Sequence, residues 1–175
     1  ADLLTRDGQL RFDFALPVAP TLDADWVRKQ VEDYEFEDPI ITVQLVPDAS
    51  AALAHVHAAV VASGTATVEA ALAGIPMVVV YRVSSLTWKL GRGLLRVPFI
   101  AMPNLIAGRE VVPELLQSDF TATKVSNNLE SILLVGPARE KMLAGLAEVA
   151  SRLRTADASG SASERAADAV LRTLA

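Results

Sequence analysis

Two continuous apolar runs, Val60-Val61-Ala62 and Met77-Val78-Val79-Val80, are separated only by residues 63–76. The segment between them opens with Ser63-Gly64-Thr65-Ala66, continues through residues that favour helix, and ends at Gly74. An apolar run without polar alternation is the pattern of a strand covered on both faces. Two such strands joined by one helix form a parallel crossover unit, because parallel neighbours cannot be joined by a tight hairpin. This constrains the fold to the α/β class, a doubly wound parallel sheet of the Rossmann-like kind.

The same stretch carries the first candidate site. Ser63, Gly64 and Thr65 fall where the strand turns into the helix, with Ala66 opening the helix. Backbone N–H groups there have no intrahelical acceptor. They suit an anion such as phosphate, and the helix dipole adds ~0.3–2 kcal/mol. Glu69 follows one turn later, where a carboxylate can accept two ribose hydroxyls. A simple helix start beside a solvated Glu is the alternative, and the turn alone does not separate the two.

Composition narrows the classes. A chain of 175 residues that is 51% apolar forms one domain, or one and a half, with ample core. The absence of Cys excludes disulfides, thiol catalysis and Cys-ligated metal. His55 and His57, two apart at the start of a strand, point to opposite faces and do not share a metal. No apolar run approaches the ~18 residues of a membrane span, and no signal peptide is seen. The opening Ala1-Asp2-Leu3-Leu4 reads as the last turn of a helix, so a piece of a longer protein is expected.

Charge is uneven. The net charge is −5, yet residues 70–109 contain no acid while holding Arg82, Lys89, Arg92, Arg96 and Arg109. A local basic field in an acidic chain points to an anionic partner for that stretch alone. Only 5% of the residues are aromatic, which argues against nucleic acid.

Along the chain, residues 1–7 read as a helix end stopped by Gly8, and Leu10 to Ala19 as a strand. Thr21 to Tyr34 reads as an amphipathic helix with Asp23 and Asp25 early. Ile40 to Val46 is a β-branched strand, Asp48 caps a short helix through about Ala54, and His57 to Ala62 is the next strand. Ser84 to Val97 is helix-like, with Lys89, Arg92 and Arg96 in one stripe beside Trp88, Leu94 and Leu95. This pattern suits a segment lying on a membrane surface, although Gly91 and Gly93 weaken it as a helix and an ordinary solvated surface helix stays open. Phe99 to Met102 is read as a short strand and Leu105 to Glu110 as a loop or single turn. Pro113 to Gln117, Thr121 to Leu134 and Ala138 to Arg154 are read as helices, residues 156–162 as a polar linker, and Ser163 to Leu174 as a last amphipathic helix.

No nucleophile–base set, Gly-x-Ser-x-Gly elbow, Walker loop or Gly-x-Gly-x-x-Gly turn is present. What remains is a cradle for a nucleotide: an anion turn, a carboxylate one helical turn on, then Asn104 and Arg109 near a later strand. The sheet is expected to bring all of them to its carboxyl edge, where ligands of this fold class bind. Arg109 suits a diphosphate bidentately or an ion pair with Glu110 or Glu114, and Asn104 suits a ligand or a turn.

These residues match something specific. Ala62-Ser63-Gly64-Thr65-Ala66, Glu69 and Gly74-Ile75-Pro76-Met77-Val78-Val79 resemble the sugar-nucleotide half of glycosyltransferases with two Rossmann-like domains, the GT-B architecture. Tyr81-Arg82, the Trp/Leu/Lys/Arg segment and Pro103-Asn104-Leu105-Ile106-Ala107-Gly108-Arg109-Glu110 resemble the lipid-A-disaccharide synthases in particular. The specific match runs from about Ala58 to Gln117.

The resemblance implies an inverting transferase that takes 2,3-diacylglucosamine from its UDP derivative and joins it β-1,6 to 2,3-diacylglucosamine 1-phosphate, releasing UDP. It implies no metal and no other cofactor. Ser63, Gly64, Thr65 and Ala66 would face the diphosphate, Glu69 the ribose, and Asn104 and Arg109 the donor phosphates or sugar. Trp88, Lys89, Arg92, Leu95 and Arg96 would hold the enzyme to the inner face of the inner membrane of a Gram-negative-type bacterium, from the cytoplasmic side. Residues 1–155 would form the donor domain without its first strand and turn. Residues 163–175 would form a helix packing on the missing half or on a partner subunit, and a homo-oligomer stays open. The catalytic base is expected outside this chain, so the chain alone should bind donor without turnover. Two other readings remain: the same half from a UDP-GlcNAc transferase or epimerase, and a membrane-docking module without catalysis.

Overall fold

Parallel pairing runs through every strand among the described residues of the computed structural model, which are 12–36, 41–84, 98–154 and 162–173. Strand β1 (Asp13–Pro17) pairs with β2 (Thr42–Val46), Phe14 opposite Val43 and Leu16 opposite Leu45. A second sheet has the order β3 (Ala59–Ala62), β4 (Met77–Tyr81), β5 (Glu114–Leu116). Val60 lies opposite Val78, and Val80 opposite Leu115. The α/β class expected from the two apolar runs is what forms.

Helix α1 (Ala24–Glu32) links β1 to β2, and α2 (Ala49–Leu53) follows β2. Each starts where an aspartate meets free N–H groups. Asp23 accepts from Asp25 N at 2.9 Å, and Asp48 from Ser50 N at 2.8 Å. Such caps contribute ~1 kcal/mol apiece. Helix α3 (Ala66–Leu72) crosses from β3 to β4. It ends at Gly74 with φ +70°, while Ile75 N bonds Ala70 O and Gly74 N bonds Ala71 O, both at 3.0 Å. That left-handed close is why a glycine stands between the helix and the second strand.

Two segments differ from expectation. Met102–Ala107 is a helix, α4, where Phe99 to Met102 reads as a strand and the residues after it as a loop. Pro103 sits in the first turn, the place where a missing N–H is harmless, and Gly108 at φ +69° closes the helix. Conversely, Pro113 to Gln117 is not helical, because Glu114–Leu116 pairs with β4. A three-residue strand carries little pattern of its own, and a partner ladder decides it. Helices α5 (Ala122–Leu133), α6 (Pro137–Leu153) and α7 (Ala162–Thr173) complete the described chain.

Burial explains the second apolar run, whereas Val60-Val61-Ala62, expected to be covered on both faces, has no buried residue. Met77, Val78 and Val79 are fully buried, since α5 packs against β4 and its neighbours β3 and β5 cover both edges. Helices α3, α4 and α6 pack on one another, and Leu146 and Val149 of α6 are fully buried. Gly145 of α6 stands against Val111, where an added Cβ would lie 2.6 Å from the valine Cγ1. No described residue before Thr67 is buried, and Val60 of β3 is 46% exposed. Val170 and Leu171 on α7 are also exposed. The linker at 156–162 lies, up to residue 161, outside the described residues.

Candidate ligand site at the carboxyl edge

The turn after β3 is built as its residue types require, with one difference in which groups are free. Ser63 N donates to Val80 O at 3.0 Å, extending the β3–β4 ladder by one bond. Its hydroxyl donates to Ile100 O at 3.2 Å. The N–H groups of Gly64, Thr65 and Ala66 have no protein acceptor among the described residues, and all three residues are exposed. The free donors are therefore those of 64–66 rather than 63–65. Gly64 has φ +152°, an extreme that a side chain resists, and its carbonyl accepts from the buried Thr67 Oγ1 at 2.6 Å. Glu69 lies exposed in the first turn of α3 with no ion pair among the described residues.

Ile100 ties this turn to the start of α4. Ile100 N and Ala101 N donate to the two oxygens of Glu114 at 2.9 and 3.0 Å. The carboxylate thus takes the place of a cap that Ala101 cannot provide. Asn104 is fully buried and wholly engaged. Its Nδ2 donates to Glu114 Oε1 and to Val112 O, each at 2.8 Å. Its Oδ1 accepts from Val111 N at 2.7 Å and Val112 N at 2.9 Å. Of the roles open to Asn104, the structure displays the turn-holding one.

Arg109 is not brought to the turn. It stands past Gly108, at the opposite end of α4 from the end linked to Ser63, and pairs with Glu148 of α6 at 2.5 Å. The other oxygen of Glu148 takes Arg152 at 2.5 Å. Arg109 donates its hydrogen bond to the Glu148 carboxyl and so holds it below the usual carboxylate range; partial burial opposes this, and the charges of Arg109 and Arg152 add to it. The partner is a residue 39 positions away, not the adjacent Glu110 or Glu114. Trp88, Lys89, Arg92, Leu95 and Arg96 lie outside the described residues. No described helix is long and apolar enough to cross a membrane.

A family model described as lipid-A-disaccharide synthetase matches residues 13–168. The chain belongs to this family. The lipid-A-disaccharide synthase of Koribacter versatilis is 48% identical over 159 residues, 91% of this chain and 41% of that relative. Those of Acidobacterium capsulatum and Myxococcus xanthus are 47% and 42% identical, over 82% and 91% of this chain. The chain spans 38–41% of the length of these curated relatives.

In this member of the lipid-A-disaccharide synthase family, the carboxyl edge holds residues that motif reading passes over. Glu114 is one, singled out in sequence only as a possible ion-pair partner of Arg109. Gln117 is another. It has φ +50°, the one non-glycine residue with positive φ among those described. Its amide, oriented to satisfy both atoms, donates to Val83 O at 3.1 Å and accepts from Val83 N at 3.2 Å. Holding a residue of this type in the left-handed region costs ~1–2 kcal/mol, and no local sequence signal announces it.

Proposed function

We propose that this chain is the donor-nucleotide-binding half of a lipid-A-disaccharide synthase. In this reading it holds UDP-2,3-diacylglucosamine for transfer of the diacylglucosamine to 2,3-diacylglucosamine 1-phosphate. The products are the β-1,6 disaccharide and UDP, the transfer inverts the anomeric centre, and it needs no metal. The observation that carries the reading is the turn at 64–66 in a chain of this family. Three N–H groups without an acceptor among the described residues follow one another on exposed residues at the carboxyl end of a parallel strand, with Glu69 one helical turn away. Donors placed where negative charge accumulates on the departing diphosphate stabilise the transition state more than the ground state. Here Glu69 accepts the ribose hydroxyls, a charge-assisted contribution of ~1.5–3 kcal/mol. Asn104 and Glu114 hold the backbone behind the site. The base lies outside the chain, so the chain alone binds donor and does not turn over. The basic, apolar stretch 85–97 seats the enzyme on the cytoplasmic face of an anionic membrane.

The domain itself is completed by another strand, in this proposal. In a doubly wound sheet of order 3-2-1-4-5-6, strand 1 lies between strands 2 and 4. We assign β2, β1 of one sheet to places 3, 2 and β3, β4, β5 of the other to places 4, 5, 6, which leaves place 1 to the further strand. The lack of any buried residue in β1, α1 and β2 supports this, because their apolar side chains have no interior to enter.

The test is calorimetric titration with UDP of the chain and of Glu69→Ala, with circular dichroism confirming an unchanged fold. Binding in the micromolar to millimolar range that weakens about tenfold or more in the variant is expected. An unchanged affinity moves the ribose away from Glu69, and absence of binding by a folded chain overturns the nucleotide reading. Competition between UDP-GlcNAc and its diacylated form then separates this transferase from one using the unacylated sugar.

A further inference from the structure

We infer that Arg82 is an anion-binding residue of the carboxyl-edge site, receiving a phosphate group of the nucleotide; this rests on the nucleotide reading above. Arg82 directly follows β4, the strand next to the one that ends in the Ser63 turn. Ser63 N bonds Val80 O, so the turn and Arg82 leave the same edge of the same sheet within two residues of a shared ladder bond.

Among the described residues, the guanidinium is placed by neutral groups alone. One Nη donates to Gln117 O at 3.3 Å and also to Phe120 O, and the group lies over the Phe120 ring, 4.8 Å from its centroid. Among the described residues no carboxylate pairs with it. The acid closest in sequence to its partners, Asp119, is bound by Lys124. The contrast with Arg109 is direct, since that cation is paired with the Glu148 carboxylate. Carbonyls and an aromatic face orient a guanidinium without cancelling its charge, and its remaining N–H groups are free to take a bidentate phosphate.

Backbone strain converges on the same contact. The Gln117 carbonyl that receives Arg82 belongs to the one described non-glycine residue with positive φ, and the Gln117 amide holds Val83 beside it. Strain kept at such a point is characteristic of a site whose geometry matters. The absence of acids from 70–109 keeps that field uncompensated by near neighbours in sequence.

The test compares UDP with uridine, which lacks the phosphates, by calorimetry on the 175-residue chain and on Arg82→Gln and Arg82→Lys. The expected result is a UDP affinity about tenfold lower in Arg82→Gln with uridine affinity unchanged. Arg82→Lys should fall between, because the charge stays and the fork is lost. The salt dependence of UDP binding should also flatten in Arg82→Gln. A merely structural role would weaken UDP and uridine alike and leave the salt slope intact, which overturns the inference. If UDP binds equally to all three chains, the inference is wrong while the nucleotide reading stands. If the parent binds neither ligand, both fall.

Discussion

The Asn104 side chain donates to Glu114 Oε1 at 2.8 Å, one bond of a network that fastens a six-residue helix, a strand and the turn after β3 together. Glu114 holds Ile100 N and Ala101 N, while Ile100 O receives the Ser63 hydroxyl. On its other side, Asn104 Oδ1 supplies the acceptor for two buried backbone N–H groups, Val111 and Val112.

Asn104→Ala therefore strands two buried donors, each worth ~1–3 kcal/mol when unsatisfied. A stability loss of at least ~2 kcal/mol is expected in urea unfolding. A loss below ~0.5 kcal/mol would contradict the internal role assigned to this side chain.

Gly145→Ala should destabilise although alanine is the better helix former. The helix gains ~1 kcal/mol, but the new Cβ meets Val111 Cγ1 at 2.6 Å, and overpacking of that kind costs ~1–3 kcal/mol. Shortening the neighbour in Val111→Ala should turn the same substitution neutral or favourable. A double-mutant cycle showing no coupling would place the two residues apart.

The acid limb of stability should depend on Glu148. Its folded pKa is lowered, chiefly by the hydrogen bond from Arg109. A lowered folded value means that the contribution is fully present above the ordinary carboxylate value of ~4.3 and is lost as pH falls through the folded one. Unfolding midpoints measured from pH 6 to pH 3 should therefore drop in the parent and drop less in Glu148→Gln. Parallel curves would assign the acid sensitivity elsewhere.

The edge of β3 that has no partner strand among the described residues should exchange quickly. Ala59 N bonds Pro76 O and Ser63 N bonds Val80 O, so alternate residues donate to β4 while Val60 and Ala62 present their N–H groups to the other side. Amide exchange by NMR is expected to be fast at 60 and 62 and slow at 61. Protection gained at 60 and 62 when a further strand is supplied upstream would support the sheet order proposed above, and continued fast exchange would count against it.

Much of this was legible because it is local. Asp23 and Asp48 announce their helices, Gly74 announces a left-handed stop, and the run from Met77 to Val80 announces a doubly covered strand. Pro113 to Gln117 was illegible for the opposite reason. A segment that short has no period, and its conformation is decided by β4 beside it. Asn104 and Arg109 could be singled out as polar residues in a distinctive stretch, but not given their actual partners, since Val111, Val112, Glu114 and Glu148 reach them only through folding. Arg82 was visible as one base among several. What distinguishes it is the company of Gln117 and Phe120, 35 and 38 residues on.

The sequence by itself determined the parallel α/β class, the position of the turn after β3 and the family. Each rests on residues adjacent in the chain, where hydrophobic period, turn chemistry and motif act within a few bonds. Only the tertiary structure decided which polar groups are taken by internal partners. Among the described residues, the N–H groups of Gly64, Thr65 and Ala66 have no acceptor and Arg82 has no carboxylate partner, while Asn104 and Arg109 are engaged by internal partners. Availability is a property of the whole fold, because a hydrogen-bonding group is free only when nothing brought near it from elsewhere in the chain has taken it.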